Sequence, residues 1–388
     1  MDRTYYETLC AITLNRVMGY NPAASRRLIA TFGSPGAVFD QSPATLDEAF
    51  GPFSKYRESI CSRELDVSTE EFERISREGC SFIYTGQPGY PPLLEDCPDA
   101  PVGLYVRSCT PPQELFAPRK TVSVVGTRDI SPYGREWTER LVATVARTPA
   151  RPLIVSGLAI GVDFTAHSTA LECGLPTIAV IPVGIDSIYP MRHRHIAERI
   201  ASTPGCAVVT DFPPGTSPVA FNFLRRNRII AGLSHATILT ESKAKGGGTM
   251  TARLAASYGR EVFALPGRID DVRSAGCNRL IMEKIAEPLT DLGELSGQLG
   301  LGSASLRKGP ALEESVRACY SNADPQTVER LVAVALAIRA SRGIAPEELC
   351  RELGLDYGDV SAAVCLLESD GYITTDLLQR CTINHKKY

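Results

Sequence analysis

The chain lacks several features that would fix its class at once. No stretch approaches the roughly 20 consecutive apolar residues of a membrane-spanning helix. The opening MDRTYYETLCAITLNRV has neither the basic start nor the long apolar run of a secretory signal. Neither a membrane protein nor an exported one is therefore expected, and the cytoplasm is the expected compartment. No CxxC pair occurs among the twelve cysteines. Their irregular spacing fits buried small hydrophobes in a reducing compartment, not a disulfide scaffold or a zinc site. GxGxxG and GxxxxGK[ST] are both missing, which removes the classical dinucleotide fingerprint and the nucleotide-hydrolysing P-loop. No repeat at the periods of solenoids or propellers is found.

Little can be read from bulk charge. A formal net charge of −3 excludes a protein coated in positive charge, but net charge hides local patches. Between Ser217 and Arg268 stand eight Lys/Arg (Arg225, Arg226, Arg228, Lys243, Lys245, Arg253, Arg260, Arg268) against two acids, Glu241 and Glu261. That segment is a candidate polyanion surface.

At 388 residues the chain is long enough for two or three domains. Residues 1–78 read as short helices, with apolar helical spacing broken at Gly19 and at Gly33 to Gly36. Over residues 79–296, β-branched runs (TVSVVG, PLIVSG, PTIAVIPVG, AVVTDF, ATILTE, EVFALPG) mostly alternate with helical patterns such as YGREWTERLVATVAR and VDFTAHSTALECG. Short apolar runs of this kind are strands buried on both faces of a mostly parallel sheet, so the expected fold is α/β, Rossmann-like and doubly wound. A Gly/Ser-rich stretch marks a linker at 297–323. Residues 324–388 read as three helices and a hairpin, the outline of a winged helix-turn-helix.

Several strands end in glycine loops: Gly126 to Arg128, Ser156 to Gly161, Gly184 to Asp186, and Gly267 to Arg268. In an open parallel sheet, ligands bind at these C-terminal strand ends, where glycine lets a phosphate approach backbone N–H groups. Each such glycine also has the plainer reading of making a strand-to-helix turn. GGGTM, with Gly246, Gly247, Gly248 and Thr249, offers a backbone cradle before a helix, or only a flexible loop. The densest signal is FNFLRRNRIIAGLS, where Phe221 and Phe223 offer faces for bases while Arg225, Arg226 and Arg228 offer charge to phosphates. The rival reading makes the phenylalanines core and the arginines a solvated face. Asp163 and His167, four apart, read as structural ties between a loop and its helix and not as a catalytic pair. His193 and His195 lack further ligands nearby in sequence, so no metal is expected.

SGLAIGVDFTAHSTALECGLPTIAVIPVGIDSIYP, RRNRIIAGLS and GREVFALPGR, with VVGTR and GCNRLI, resemble the DNA-processing protein A (DprA/Smf) family over most of residues 120–282. The resemblance implies a non-enzymatic Rossmann-like core that binds single-stranded DNA, protects it during natural transformation and helps load the RecA recombinase. It also implies a homodimer formed through the core, and no cofactor. By motif it places Gly126 and Arg128, Ser156 and Gly157, Arg226, Asn227 and Arg228, and Gly247 at the DNA. From their chemistry, Phe223, Arg225, Gly248 and Thr249 join them. In the family's SGS-type loop the serines flanking Gly247 are here Gly246 and Gly248, which leaves only backbone donors, and His193 stands where asparagine is usual. Residues 10–40 are similar to a helix-hairpin-helix or sterile-alpha-motif-like domain, but GYNP lacks the second hairpin glycine, so no DNA contact is expected there. The candidate recognition helix 357–368 carries Asp359 and Glu368 and no Lys or Arg, which points to a structural or protein-contact role.

Two rivals remain. A nucleotide-processing hydrolase resembling the lysine-decarboxylase-like phosphoribohydrolases (LOG family) needs a glutamate after its PGGxGT loop, and no acid stands in the four residues after Thr249. A winged-helix regulator needs a basic recognition helix.

Overall fold

The computed structural model describes residues 2–51, 54–62, 65–302, 312–341, 343–376 and 379–384. The chain divides into two compact units, Met1–Ala304 and Ser305–Tyr388.

The first unit is built on a nine-stranded sheet. Its strands are β1 (Cys80–Tyr84), β2 (Gly103–Arg107), β3 (Thr121–Val125), β4 (Leu153–Ser156), β5 (Thr177–Val180), β6 (Ala207–Thr210), β7 (Ala236–Leu239), β8 (Glu261–Ala264) and β9 (Glu287–Pro288). Their spatial order is β1-β2-β6-β5-β4-β3-β7-β8-β9. From β3 to β6 the chain winds outward in one direction; it then returns to lay β7, β8 and β9 on the other side of β3. The neighbours from β6 to β9 are parallel, while β1–β2 and β2–β6 are antiparallel. This is the Rossmann-like, mostly parallel sheet that the β-branched runs predict. Strands β3 to β7 are buried at every position, as a two-sided parallel sheet requires. The antiparallel end formed by β1 and β2, and the two-residue β9, have no counterpart among the predicted strands.

Helices cover both faces. The N-terminal helix Arg3–Met18 buries Cys10, Ile12, Leu14 and Met18 in one hydrophobic cluster with Phe82, Tyr105 and Val208 of the sheet. Residues 1–78 are thus helical where described, and their inner face shares its core with the sheet. Asn15 Nδ2 donates to Asp211 O at 2.8 Å, tying that helix to the end of β6. The first part of the expected linker is also packed. Leu299 and Leu301, like Leu295 just before it, are buried in the cluster that backs β3 and β7.

The second unit holds the expected helices Pro325–Ala340, Pro346–Leu353 and Tyr357–Ser369, followed by the antiparallel pair β10 (Ile373–Thr375) and β11 (Cys381–Ile383). A further helix, Leu312–Cys319, precedes them and contributes Leu312 and Val316 to their core. The sequence places that segment in the linker, its Gly/Ser-rich lead-in masking a short amphipathic helix. Residues 303–311 lie outside the described residues.

Candidate nucleic-acid interface

Because the winding reverses at β3, the loops that follow β3 and β7 flank the topological switch point, the crevice position at which open α/β sheets bind ligands. Glycine brings these loops together. A Cβ on Gly126 would lie 2.5 Å from Val162 Cγ2 and 2.7 Å from Glu241 O, and one on Gly248 would lie 3.0 Å from Gly126 Cα. Thr127 N donates to Glu241 O at 2.7 Å, closing the junction. Each member of the triple glycine has a separate place. Gly246 caps the helix Gly247–Ser257 without a side-chain hydrogen bond, Gly247 faces open space, and Gly248 packs on Gly126. Thr249 is buried, its hydroxyl bonded to Ser242 Oγ at 2.9 Å and Lys243 O at 3.1 Å. It pins the helix start and turns no hydroxyl outward.

The loop after β4 is built over a buried cation. Gly157 lies above Arg226, whose Nη1 would be only 1.9 Å from a Cβ at that position. Arg226 is 4% exposed and donates from Nη1 to Val180 O at 2.6 Å. Burial lowers it to about 10, against the attraction of Asp163. Burial in turn pushes the Asp163 carboxyl above its ordinary value, opposed by Arg226 and by the Ala159 amide, which donates to Oδ2 at 3.3 Å. Asp163 therefore ties its loop to the helix Val162–Glu172 as expected. His167 does the same for β5, with Nδ1 2.7 Å from the Thr177 hydroxyl. His193 is buried and bonds Leu158 O through Nδ1 at 2.8 Å, while His195 is exposed. Among the described residues no group of three or more His, Cys, Asp or Glu could hold a metal ion.

At the loop that follows β3, charge and aromatic surface meet solvent together. Arg128 is exposed and holds its guanidinium carbon 4.8 Å from the Phe223 ring centroid. Tyr189 meets Phe223 edge-on at 5.4 Å and is itself 39% exposed. The arrangement presents a cation to a phosphate and ring surface to a base. The sequence marks Arg128 and Phe223 by motif and chemistry, whereas the only signal at Tyr189 is its place beside a proline in SIYP.

Ser156, Arg225, Arg226, Asn227 and Arg228, placed at the DNA from the sequence, are engaged within the fold. Ser156 is fully buried, its hydroxyl donating to Val124 O at 2.7 Å, so it stitches β4 to β3 and presents nothing to a ligand. Arg225 and Arg228 do not offer free charge to phosphates. Both pair with the fully buried Asp211, at 2.7 and 2.5 Å, and Arg228 also donates to Asp99 O. Arg226 lies in the floor just described. Asn227 reaches across from the helix Ala220–Gly232 towards Gly247 O, at 3.5 Å. The local excess of positive charge shrinks accordingly. Arg253 pairs with Glu283 and Arg268 with Asp270, both acids lying C-terminal to the basic segment, and Arg260 donates to Leu93 O. Lys243 and Lys245, beside the glycine loop, stay exposed and carry no ion pair among the described residues.

The fold and this crevice define a Rossmann-like α/β protein with glycine loops and exposed cationic and aromatic groups at its switch point. A model of the DNA recombination-mediator protein A family matches residues 81–300. Protein Smf from Synechocystis sp. is 30% identical over 382 residues, spanning 93% of this chain and 95% of its own length. Among solved structures, DNA processing protein A (DprA) from Streptococcus pneumoniae is similar with a TM-score of 0.61 at 27% identity, covering 76% of this chain and 96% of that one. The DNA processing protein A from Helicobacter pylori, described for its single-stranded DNA binding mode, is similar with a TM-score of 0.50 at 28% identity, covering 57% and 95%. The chain belongs to the DNA recombination-mediator protein A family.

Proposed function

We propose that this protein binds single-stranded DNA at the C-terminal edge of its parallel sheet, without catalysis, and handles incoming DNA in the cytoplasm during natural transformation. One observation carries the reading: an exposed guanidinium, Arg128, lies over a partly exposed ring, Phe223, at the mouth of the switch-point crevice. A single strand offers both a phosphate and an unstacked base to such a pair, whereas a duplex keeps its bases covered. Gly126, Gly157, Gly247 and Gly248 let the backbone approach, with Lys243 and Lys245 as further charge. Arg225, Arg226, Asn227 and Arg228 support this surface from below, and Ser156 and Thr249 hold its loops.

The description of the Helicobacter pylori relative supports the choice of ligand. On this reading the protein also assists RecA loading and pairs as a homodimer through its core. Met250, 41% exposed, and Met282, 74% exposed, offer apolar surface to a second copy. Filter binding of a labelled oligonucleotide, single and double stranded, across a salt series tests the reading. Preference for the single strand with a steep salt dependence is expected. Equal binding of both forms at low salt overturns it.

A further inference from the structure

Beyond the Arg128–Phe223 pair lies a second exposed aromatic pair in the same unit. Tyr20, which follows the N-terminal helix, is 63% exposed, and Phe221, in the first turn of the helix Ala220–Gly232, is 60% exposed. Their rings stack on each other with centroids 6.1 Å apart and planes 27° from parallel. Val219 and Leu224, 51% and 43% exposed, flank Phe221. A single exposed aromatic needs no explanation, but a preformed stack with most of its area in water does.

The pair is held in place from beneath. Arg225 carries its guanidinium carbon 4.5 Å from the Tyr20 centroid and 4.8 Å from that of buried Phe212, while Asp211 fixes the same guanidinium. The charge that a sequence reading assigns to phosphate thus serves as a pedestal for a ring. Phe221 stands two residues before Phe223 on the same helix, about 200° round its axis, so a strand passing from one ring to the other would wrap the start of that helix. Val219, Ala220 and Phe221, at the start of that helix, are exposed, whereas Asn222 between the two phenylalanines is buried.

The geometry points to Tyr20 and Phe221 as a second base-stacking platform, onto which a single strand leaving the Arg128–Phe223 site continues. This rests on the single-strand reading above. The N-terminal helices then contribute to DNA binding through a side chain, a route that does not need the hairpin glycine missing from GYNP.

Binding of fluorescein-labelled oligothymidylates to the full chain, one of about 6 nucleotides and one of about 20, tests this by anisotropy. Tyr20→Ala and Phe221→Ala should each weaken the longer strand by about 5-fold or more, the low end for one stacked base, and leave the shorter one unchanged. Tyr20→Phe and Phe221→Tyr should bind as the parent does, since each keeps a ring. The platform is overturned if the alanine variants bind the longer strand normally, if they lose both strands equally, or if the conservative variants lose binding too. A change in sedimenting mass of the DNA-free alanine variants with normal DNA binding marks the patch as a protein interface and also overturns it. Arg128→Ala separates the two ideas. If it leaves both strands unaffected, the underlying site is wrong. If it weakens both while the alanine variants do nothing, only the extension fails.

Discussion

The guanidinium of Arg226 occupies the space where a side chain at residue 157 would begin, with Nη1 1.9 Å and Cζ 2.6 Å from an ideal Cβ on Gly157. Arg226 cannot swing aside freely, because it is bonded to Val180 O and is the charged neighbour of buried Asp163. Gly157→Ala should therefore destabilise the protein by about 1–3 kcal/mol, the usual cost of overpacking a closed site. Urea unfolding measures this, and a variant as stable as the parent would show that the arginine moves at no cost.

Arg128 and Phe223 should behave as a coupled pair. Arg128→Ala is expected to weaken single-strand binding and to lower the salt slope by about one phosphate's worth. Phe223→Ala should cost about 1–3 kcal/mol of binding with the slope unchanged. Because the ring positions the guanidinium, the double variant should lose less than the sum of the two. Strict additivity in anisotropy titrations would mean that the two groups act separately.

Asp211 holds two buried arginines at once. Asp211→Ala leaves both cations without their carboxylate, and breaking a buried pair costs about 3–5 kcal/mol. Arg225→Ala should cost less, since Arg228 keeps its partner. Denaturant midpoints of the two variants give the order directly, and a reversed order would contradict the shared role of Asp211.

His167 makes stability depend on pH. Burial, aided by the nearby charge of Arg226, lowers it from 6.5 to about 3. The unfolded chain takes up this proton below about pH 6.5 and the folded chain only near pH 3, so in between the unfolded state binds more protons. Stability present above pH 6.5 is therefore lost as the pH falls through that window, by up to about 1.4 kcal/mol per pH unit. His167→Gln should flatten the slope between pH 6 and 4 in urea titrations. An unchanged slope would assign the acid sensitivity to other groups.

The parallel strands were legible because strands covered on both faces carry unbroken β-branched runs, as in TVSVV and LIVS. β1 and β2 were not, because CSFIY and GLYVR are short, mixed in character and separated by a proline-rich turn region. At the site, the positions of Arg128, Gly157 and Phe223 could be read from motif and chemistry. The fates of Arg225 and Arg228 could not. Their partner Asp211 follows β6, apart in sequence from the basic segment, and only the sheet brings it beneath their helix. Ser156 shows a similar limit, since its place in a loop motif was visible while the direction of its hydroxyl depends on the facing strand. Tyr20 lies some two hundred residues from Phe221, and nothing local in GYNP signals that the two rings meet.

Glu241 shapes the crevice in a different way. Its carboxylate accepts from Ser131 N at 2.9 Å and from the Ser131 hydroxyl at 2.5 Å, and it fills the space beside Gly134 in the first turn of the helix Pro132–Ala146. Helix starts at a switch point ordinarily stand vacant for a ligand's phosphate. Here one of the two is occupied by an anion the protein carries itself, a tethered competitor that no dilution removes. A mononucleotide seeking that seat meets like charge. On the other flank Gly246 caps its helix with backbone alone, so the two helix starts differ in charge and a polyanion would be expected on that side.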